Sequence, residues 1–456
     1  MFYMQNVDDL KRSMNMKENK KGARHTINVK APFLPFKTRK DDRAKFGRRF
    51  NGVIGEISRI LSQNKLSKDF DKEKCIDNIV NSVSCKTEED RKYLVELIKN
   101  YLVDKDGDIN VFHPHLFQYI QLSEGGESKE EASIAQFLCD VILRHDYRFK
   151  DLFIKNDTNH MITKLILSEL DELEESEIEE KYVDNLPYVG DVAIEDINFI
   201  MKNKDFFLKN FSNILAYYYF FYITQLAIKL NKKSEANYQE IEKIYYLLDW
   251  EKTSKNRKSV DMGYKFIKEQ SKNLLVHINT LEHLNFIFGT YGKNFVEIKE
   301  IFEELEQEER IEVLEALREW VKFYRDFYEK DPMELELNYK ELVKALNKSL
   351  LEQNKQAILS RYSLSIEEIG KKYFLKIRGG SYGYMLNITQ EMLVLITALC
   401  IKKEKITLKT LFKEYERRGL FFDNYSKDSI VELLEKLNLV DKKSDSGDAQ
   451  YVKSIL

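Results

Sequence analysis

Few residues in this chain have a type and spacing that could do chemistry, and each carries a competing structural reading. Val296–Lys299 (VEIK) has the Glu-x-Lys half of a common metal-dependent nuclease site. Such a site needs an upstream aspartate to share the cation with Glu297. The nearest preceding one is Asp261, in a different expected element, and VEIK continues into a Glu-rich helical run. Glu297 and Lys299 are therefore expected on a helix. His113 and His115 (HPH) could ligate a metal with Cys139 or His145. Neither CxxC nor HExxH accompanies them, so a turn with surface histidines is expected instead. Asp104–Asn110 (DKDGDIN) starts like a calcium loop. That loop needs Gly at its sixth position and Glu at its twelfth, where this chain has Ile109 and His115. A polar turn is the expectation. There is no GxxxxGK[ST] phosphate loop and no GxSxG elbow, and Arg378–Met385 (RGGSYGYM) lacks the phosphate-loop lysine. No catalytic set, metal or cofactor is expected.

The elements that would position any site are expected to be helices. Only 5 prolines and 17 glycines punctuate 456 residues, too few for the many turns of an all-β fold. Four cysteines (Cys75, Cys85, Cys139, Cys400) are too few and scattered for a disulfide framework. The first residues have no apolar core of signal-peptide length, so a cytoplasmic protein is expected. Asn210–Ile228 is uncharged over 19 residues. Its tyrosines sit mid-segment, where a membrane helix prefers Leu, Ile and Val, so a buried aromatic helix is expected. Leu94, Leu97, Ile98, Tyr101 and Leu102 recur at helical steps, as do Leu314, Leu317, Val321 and Tyr324. Glu169–Glu180 reads as a solvated helix face or a connecting loop.

The net charge of −3 conceals three unlike segments. Residues 1–49 carry +9, residues 50–375 carry −15 and residues 376–456 carry +3. A basic end on an acidic body points to an anionic partner for that end, or to an arm docked on its own body. Arg24, His25, Lys37, Arg39, Arg43, Arg48 and Arg49 are the arm's candidate phosphate contacts, each adding salt-sensitive affinity. Phe33, Leu34, Phe36 and Phe46 lie among these cations, and a freely solvated tail would not need them. Part of the arm should therefore pack.

The last 80 or so residues follow a legible order. Thr389 can cap a helix carrying Met392, Leu395, Ile396 and Leu399. Thr407 can cap a second, with Leu408, Leu411, Phe412 and Tyr415 on one face and Gly419 ending it. Ser426 can cap a third, with Ile430, Leu433, Leu434 and Leu437. Two strand-like runs, Leu439–Lys443 and Gln450–Ile455, flank a turn-rich linker and form the single expected β-hairpin. Three helices and a hairpin are the order of a winged helix-turn-helix. Its third helix, Lys427–Leu437, has a net charge of −1, poor for a groove lined by phosphates. Protein contact is favoured over base reading, with Lys442 and Lys443 as candidate nucleic-acid contacts on the wing.

Two stretches carry a family resemblance. One is RHTINVKAPFLPFKTRKDDRAKF (Arg24–Phe46). The other runs from YGYMLNITQEMLVLITALCI (Tyr382–Ile401) through LFKEYERRGLFFDNYS to LNLVDKKSDSGDAQYVKSIL (Leu437–Leu456). Both resemble the DptG family, subunits of the bacterial DNA phosphorothioation-dependent restriction system. The resemblance implies a subunit working with a DptF-like ATPase and a DptH-like helicase or ATPase to restrict DNA that lacks the sulfur modification. It implies no catalytic residue.

The expected architecture is mainly α. A basic, partly extended arm (1–49) precedes a multi-helix bundle body (50–376) and a C-terminal winged helix-turn-helix-like module (377–456). The expected function is a non-catalytic subunit of an anti-phage DNA restriction complex. It would scaffold its ATPase partners and contact DNA either itself or through them. The alternatives are a metal-dependent nuclease subunit built on VEIK and HPH, and a stand-alone winged-helix DNA-binding regulator.

Overall fold

The structure is a computed structural model that describes all residues except 1, 17–19, 27–31, 106, 155–157, 253, 255–256, 403, 443–449 and 456. It is mainly helical, 61% helix and 7% strand. Contacts divide the chain into two units. One holds residues 1–40, 182–189 and 220–456; the other holds 41–181 and 190–219.

In the larger unit, the helix Phe2–Ser13 buries Tyr3, Val7 and Leu10 against the helices Leu274–Phe288 and Gln307–Phe327. This helix lies within the segment expected to be a partly extended arm. Its last residues include Lys11 and Arg12, which suit a helix C-terminus. The expected stripe of Gln307–Phe327 is rotated slightly. Val313, Leu317, Trp320, Val321 and Tyr324 are buried, while Leu314 is only half-buried. Phe33, Leu34 and Phe36 are buried in this unit, and Phe36 meets Tyr362 edge-on with centroids 5.4 Å apart.

The smaller unit is centred on Asn51–Ser62, packed against Ser128–Val141. Gly55 lets the chain at Ile120 approach the same helix, since a Cβ there would lie 2.1 Å from the Ile120 carbonyl oxygen. Buried Arg59 donates to the carbonyls of Gln118 and Ile120 at 2.7 and 2.8 Å. Phe46 stacks on Phe50, which reaches Tyr219. In Glu88–Leu102, Ile98 and Leu102 are buried but Leu97 is exposed. The acidic block Glu169–Glu180 forms no helix. Glu174–Glu175 pairs antiparallel with Asn64–Lys65, and the rest is connection.

The uncharged Asn210–Ile228 lies inside the long helix Lys204–Lys232, with Tyr217, Tyr218, Tyr219 and Tyr222 buried. Among the described residues no helix is long and apolar enough to cross a membrane.

The C-terminal elements lie in the larger unit. Thr389 caps Gln390–Ile401 by accepting from the Met392 N–H, and Thr407 caps Leu408–Arg417 through Thr410. Gly419 follows at φ +81°. The third helix, Asn424–Lys436, begins earlier than expected, and its cap is Asp423 rather than Ser426. Val440–Lys442 and Gln450–Val452 form the hairpin, and Gln450–Val452 also pairs with Ile406–Thr407. The resulting antiparallel sheet has Gln450–Val452 at its centre. A second hairpin, unexpected from the sequence, joins Leu375–Gly379 to Gly383–Leu386 in the Gly-rich stretch. Phe421–Phe422 pairs in parallel with Tyr245–Tyr246.

Beside that pairing, Arg257 donates to both carboxylate oxygens of Asp423, at 2.9 and 2.6 Å. The carboxylate also accepts from the Ser259 hydroxyl and the Ser426 N–H. Burial alone would raise its pKa. The bonds from Arg257, Ser426 and Ser259 outweigh burial and hold it down at about 2.

Three outcomes are expected. Asp423→Asn leaves Arg257 buried beside a neutral group and should cost ~3–5 kcal/mol, read from urea unfolding. A depressed carboxylate stabilises fully above its ordinary pKa of about 4 and loses that contribution as pH falls toward 2. Stability should therefore fall more steeply across that window in the wild type than in Asp423→Asn. At Gly419, a Cβ would lie 2.2 Å from the Phe221 ring, at a φ that other residues adopt with strain. Gly419→Ala should cost about 2 kcal/mol or more by the same measurement.

Candidate nucleic-acid interface

The arm's seven candidate cations have different surroundings. Arg24, His25, Lys37 and Arg39 belong to the larger unit, and Arg43, Arg48 and Arg49 to the smaller. His25 bonds through Nδ1 to the Tyr324 hydroxyl at 2.7 Å and packs on Tyr328. Its backbone carbonyl lies 3.0 Å from Nε2 of His283. Burial lowers the pKa of His25 and raises that of Tyr324. A neutral imidazole bound to a buried phenol acts as packing rather than as a phosphate contact.

Arg43 is buried. Arg48 pairs with Asp108 at 2.9 Å and donates to the Gln121 carbonyl at 2.5 Å. Between these candidates, Lys45 bonds Glu127 at 2.8 Å, and Lys129 bonds Asp42 at 2.9 Å. The Ala44 N–H donates to the Glu130 carboxylate. Ala44, Lys45 and Arg48 thus meet carboxylates of their own unit. Lys37 is half-buried. Arg24, Arg39 and Arg49 are exposed and make no ion pair among the described residues.

The C-terminal candidates are less informative. The Lys442 side chain and all of Lys443 lie outside the described residues. On the third helix, Asp428, Glu432, Glu435 and Lys436 are exposed, and Tyr425 is 68% exposed. Lys427 sits over the Phe412 ring, 5.2 Å from its centroid. The exposed side of this helix is acidic and aromatic.

The other motifs have structural roles. Glu297 is the third residue of Phe295–Glu304 and forms a capping box with Asn294. The Asn294 N–H donates to Glu297 at 2.9 Å, while Lys299 pairs with Glu303 along the helix. His113 and His115 are buried, not on the surface as expected. His113 accepts from the His115 N–H at the start of the 3₁₀ turn Pro114–Tyr119, and His115 Nδ1 meets the Phe153 carbonyl at 2.8 Å. Burial, with Lys204 and His115 adding to it, lowers the His113 pKa to about 4. Within the DKDGDIN stretch the Asp108 N–H donates to the Asp104 carboxylate. Among the described residues no three His, Cys, Asp or Glu side chains gather as a cation site.

One arrangement had no signal in sequence spacing. Exposed Arg49 stands at the rim of a cleft of about 680 Å³ in the smaller unit. Tyr101, Phe112, His160 and the pair Lys204 and Lys209 share its lining and come from separate stretches of chain.

Glu297→Ala should cost ~1 kcal/mol of unfolding free energy, the size of a lost cap. It should leave any DNA-cleavage phenotype at wild-type level, and a plasmid-restriction assay beside the unfolding curve checks both. No protein-family model matches the chain, and a search of curated proteins finds no match.

Proposed function

We propose that this chain is a non-catalytic, cytoplasmic subunit of a bacterial phosphorothioation-dependent DNA restriction complex, in which it scaffolds a DptF-like ATPase and a DptH-like helicase or ATPase. The observation that carries the reading is the C-terminal module. Its three helices, the strand before the second and the closing hairpin follow the order of a winged helix-turn-helix. The third helix, which would enter a DNA groove in a base-reading member, exposes Asp428, Glu432 and Glu435 beside Tyr425. Carboxylates in that place repel phosphates, whereas an exposed aromatic ringed by charge suits a protein partner. The module therefore docks a subunit rather than reading sequence. This speaks against a stand-alone regulator.

The two stretches that resemble the DptG family support the same reading. Arg24–Phe46 contributes Phe33, Leu34, Phe36 and Phe46 as buried residues, and Tyr382–Leu456 supplies the module. A resemblance in core-forming and docking segments is what a shared scaffold requires. Of the arm's seven candidate contacts, Arg24, Arg39 and Arg49 are the exposed ones without an ion pair among the described residues, and these meet DNA. The nuclease alternative would need Glu297 and Lys299, which serve a helix cap and a helix-surface ion pair.

Co-expression of the tagged chain with the ATPase genes encoded beside it tests the reading. Both ATPases should co-purify with the wild-type chain. A Tyr425→Ala, Asp428→Lys, Glu432→Lys variant should lose one of them by at least about tenfold, the loss expected from removing a central aromatic and its charge complement. Its circular dichroism and thermal midpoint should match the wild type. A wild-type chain that elutes alone overturns the proposal.

A further inference from the structure

We propose that the cleft of the smaller unit binds a nucleoside phosphate, supplied by an unpaired DNA strand or by a free nucleotide. The geometry supplies each part of such a ligand with a partner. Phe112 lies against Tyr101 with centroids 4.4 Å apart, and Tyr101 stacks on His160 at 5.7 Å and 7°. The outermost ring, His160, is exposed but held in place. Its Nδ1 accepts from the Thr163 N–H at 3.3 Å as the cap of Met161–Ser168. The Tyr101 hydroxyl reaches Thr163 Oγ1 at 3.4 Å, and the Asn110 amide donates to the Tyr101 carbonyl at 3.0 Å. This wall is therefore ordered before any ligand arrives. A base added to its free end extends the stack, and such stacking contributes ~1–3 kcal/mol per base.

Three cations stand round the cleft: Arg49, Lys204 and Lys209. Each is exposed, and none makes an ion pair among the described residues. Arg48 is already committed to Asp108 and the Gln121 carbonyl, and Arg49 follows it at φ +55°. Lys204 opens the long helix Lys204–Lys232, and Lys209 lies five residues along it. Two carboxylates, Asp104 and Asp205, share the lining, leaving a formal balance of +1. Asp104 already accepts from the Asp108 N–H. Carboxylates and the amides of Asn51 and Asn213 can meet the amino groups and edges of a base, while the cations meet its phosphate. The cleft's size falls within the ~300–1,000 Å³ usual for small-ligand sites. The proposal rests on the reading above only for DNA as the polymer.

Fluorescence anisotropy with a short labelled oligothymidylate tests it, with unlabelled thymidine monophosphate as competitor and the full chain as receptor. His160→Asn removes the ring but keeps a good helix cap. It should weaken binding about tenfold at every salt concentration, as a stacking loss does. Lys204→Glu with Lys209→Glu places carboxylates near a helix N-terminus, where they are tolerated. It should weaken binding at least about tenfold at low salt and flatten the salt dependence. Competition by the monophosphate at concentrations near those of the oligonucleotide assigns a free nucleotide; failure to compete assigns an unpaired strand. No binding by the wild type, or equal binding by the wild type and His160→Asn, overturns the proposal. Co-purification of the ATPases with His160→Asn shows separately whether the complex stands.

Discussion

Asp423 and Arg257 form the contact on which the C-terminal arrangement depends. They lie 166 residues apart, yet the guanidinium meets both carboxylate oxygens. The same carboxylate caps the third helix of the module through the Ser426 N–H. A helix start and an anchor to the body thus share one side chain. An ion pair buried this deeply gains little if isolated, because desolvation offsets attraction. Here the remaining acceptor capacity of the carboxylate is filled by Ser259 and Ser426, so its charge is held by several donors at once. The Arg257 guanidinium also lies over the Tyr425 ring, 5.2 Å from its centroid. The residue proposed to meet a partner is therefore positioned by the contact that fixes the helix.

That shared role explains where sequence reasoning succeeded and where it failed. Thr389, Thr407 and Gly419 act locally. Each satisfies or ends its own helix with groups a few residues away, so their types were enough to find them. Asp423 and Ser426 are both good caps in isolation, and the choice between them is made by Arg257, far away in sequence. The helix Phe2–Ser13 was hidden in the same way. It lies inside a basic segment although its own charges cancel, and its docking on Leu274–Phe288 and Gln307–Phe327 makes it helical. The HPH turn looked polar because histidine usually is, yet its rings are buried, with His115 bonded to the Phe153 carbonyl and His113 accepting from the His115 N–H.

The arm's charge also reads differently in three dimensions. Its +9 pointed either to an anionic partner or to docking on its own body. Much of the charge between residues 42 and 48 is spent locally on Glu127 and Asp108, the outcome foreseen for an arm docked on its own body. His25 is neutral and packed. Of the seven candidate contacts, Arg24, Arg39 and Arg49 are exposed and make no ion pair among the described residues, and they are divided between the two units. An electrostatic argument from segment sums counts charges already neutralised, so burial and pairing must be subtracted before a partner is inferred.

The cleft beside Arg49 carries this one step further. Its rings and cations come from five separate stretches of chain, so no spacing rule could have assembled them. What the sequence did hold was Arg49 itself, an arm residue that makes no ion pair among the described residues and borders a cavity. A residue next to it, Arg48, is consumed by Asp108, and the turn that follows sets Arg49 in a left-handed conformation. Such a conformation is mildly costly for arginine. The chain holds it while Phe46 and Phe50, on either side, stack in the core. The packing of two phenylalanines thus determines where the guanidinium emerges. A packing constraint and a binding position coincide here, and any change to the Phe46–Phe50 pair would move Arg49 with it.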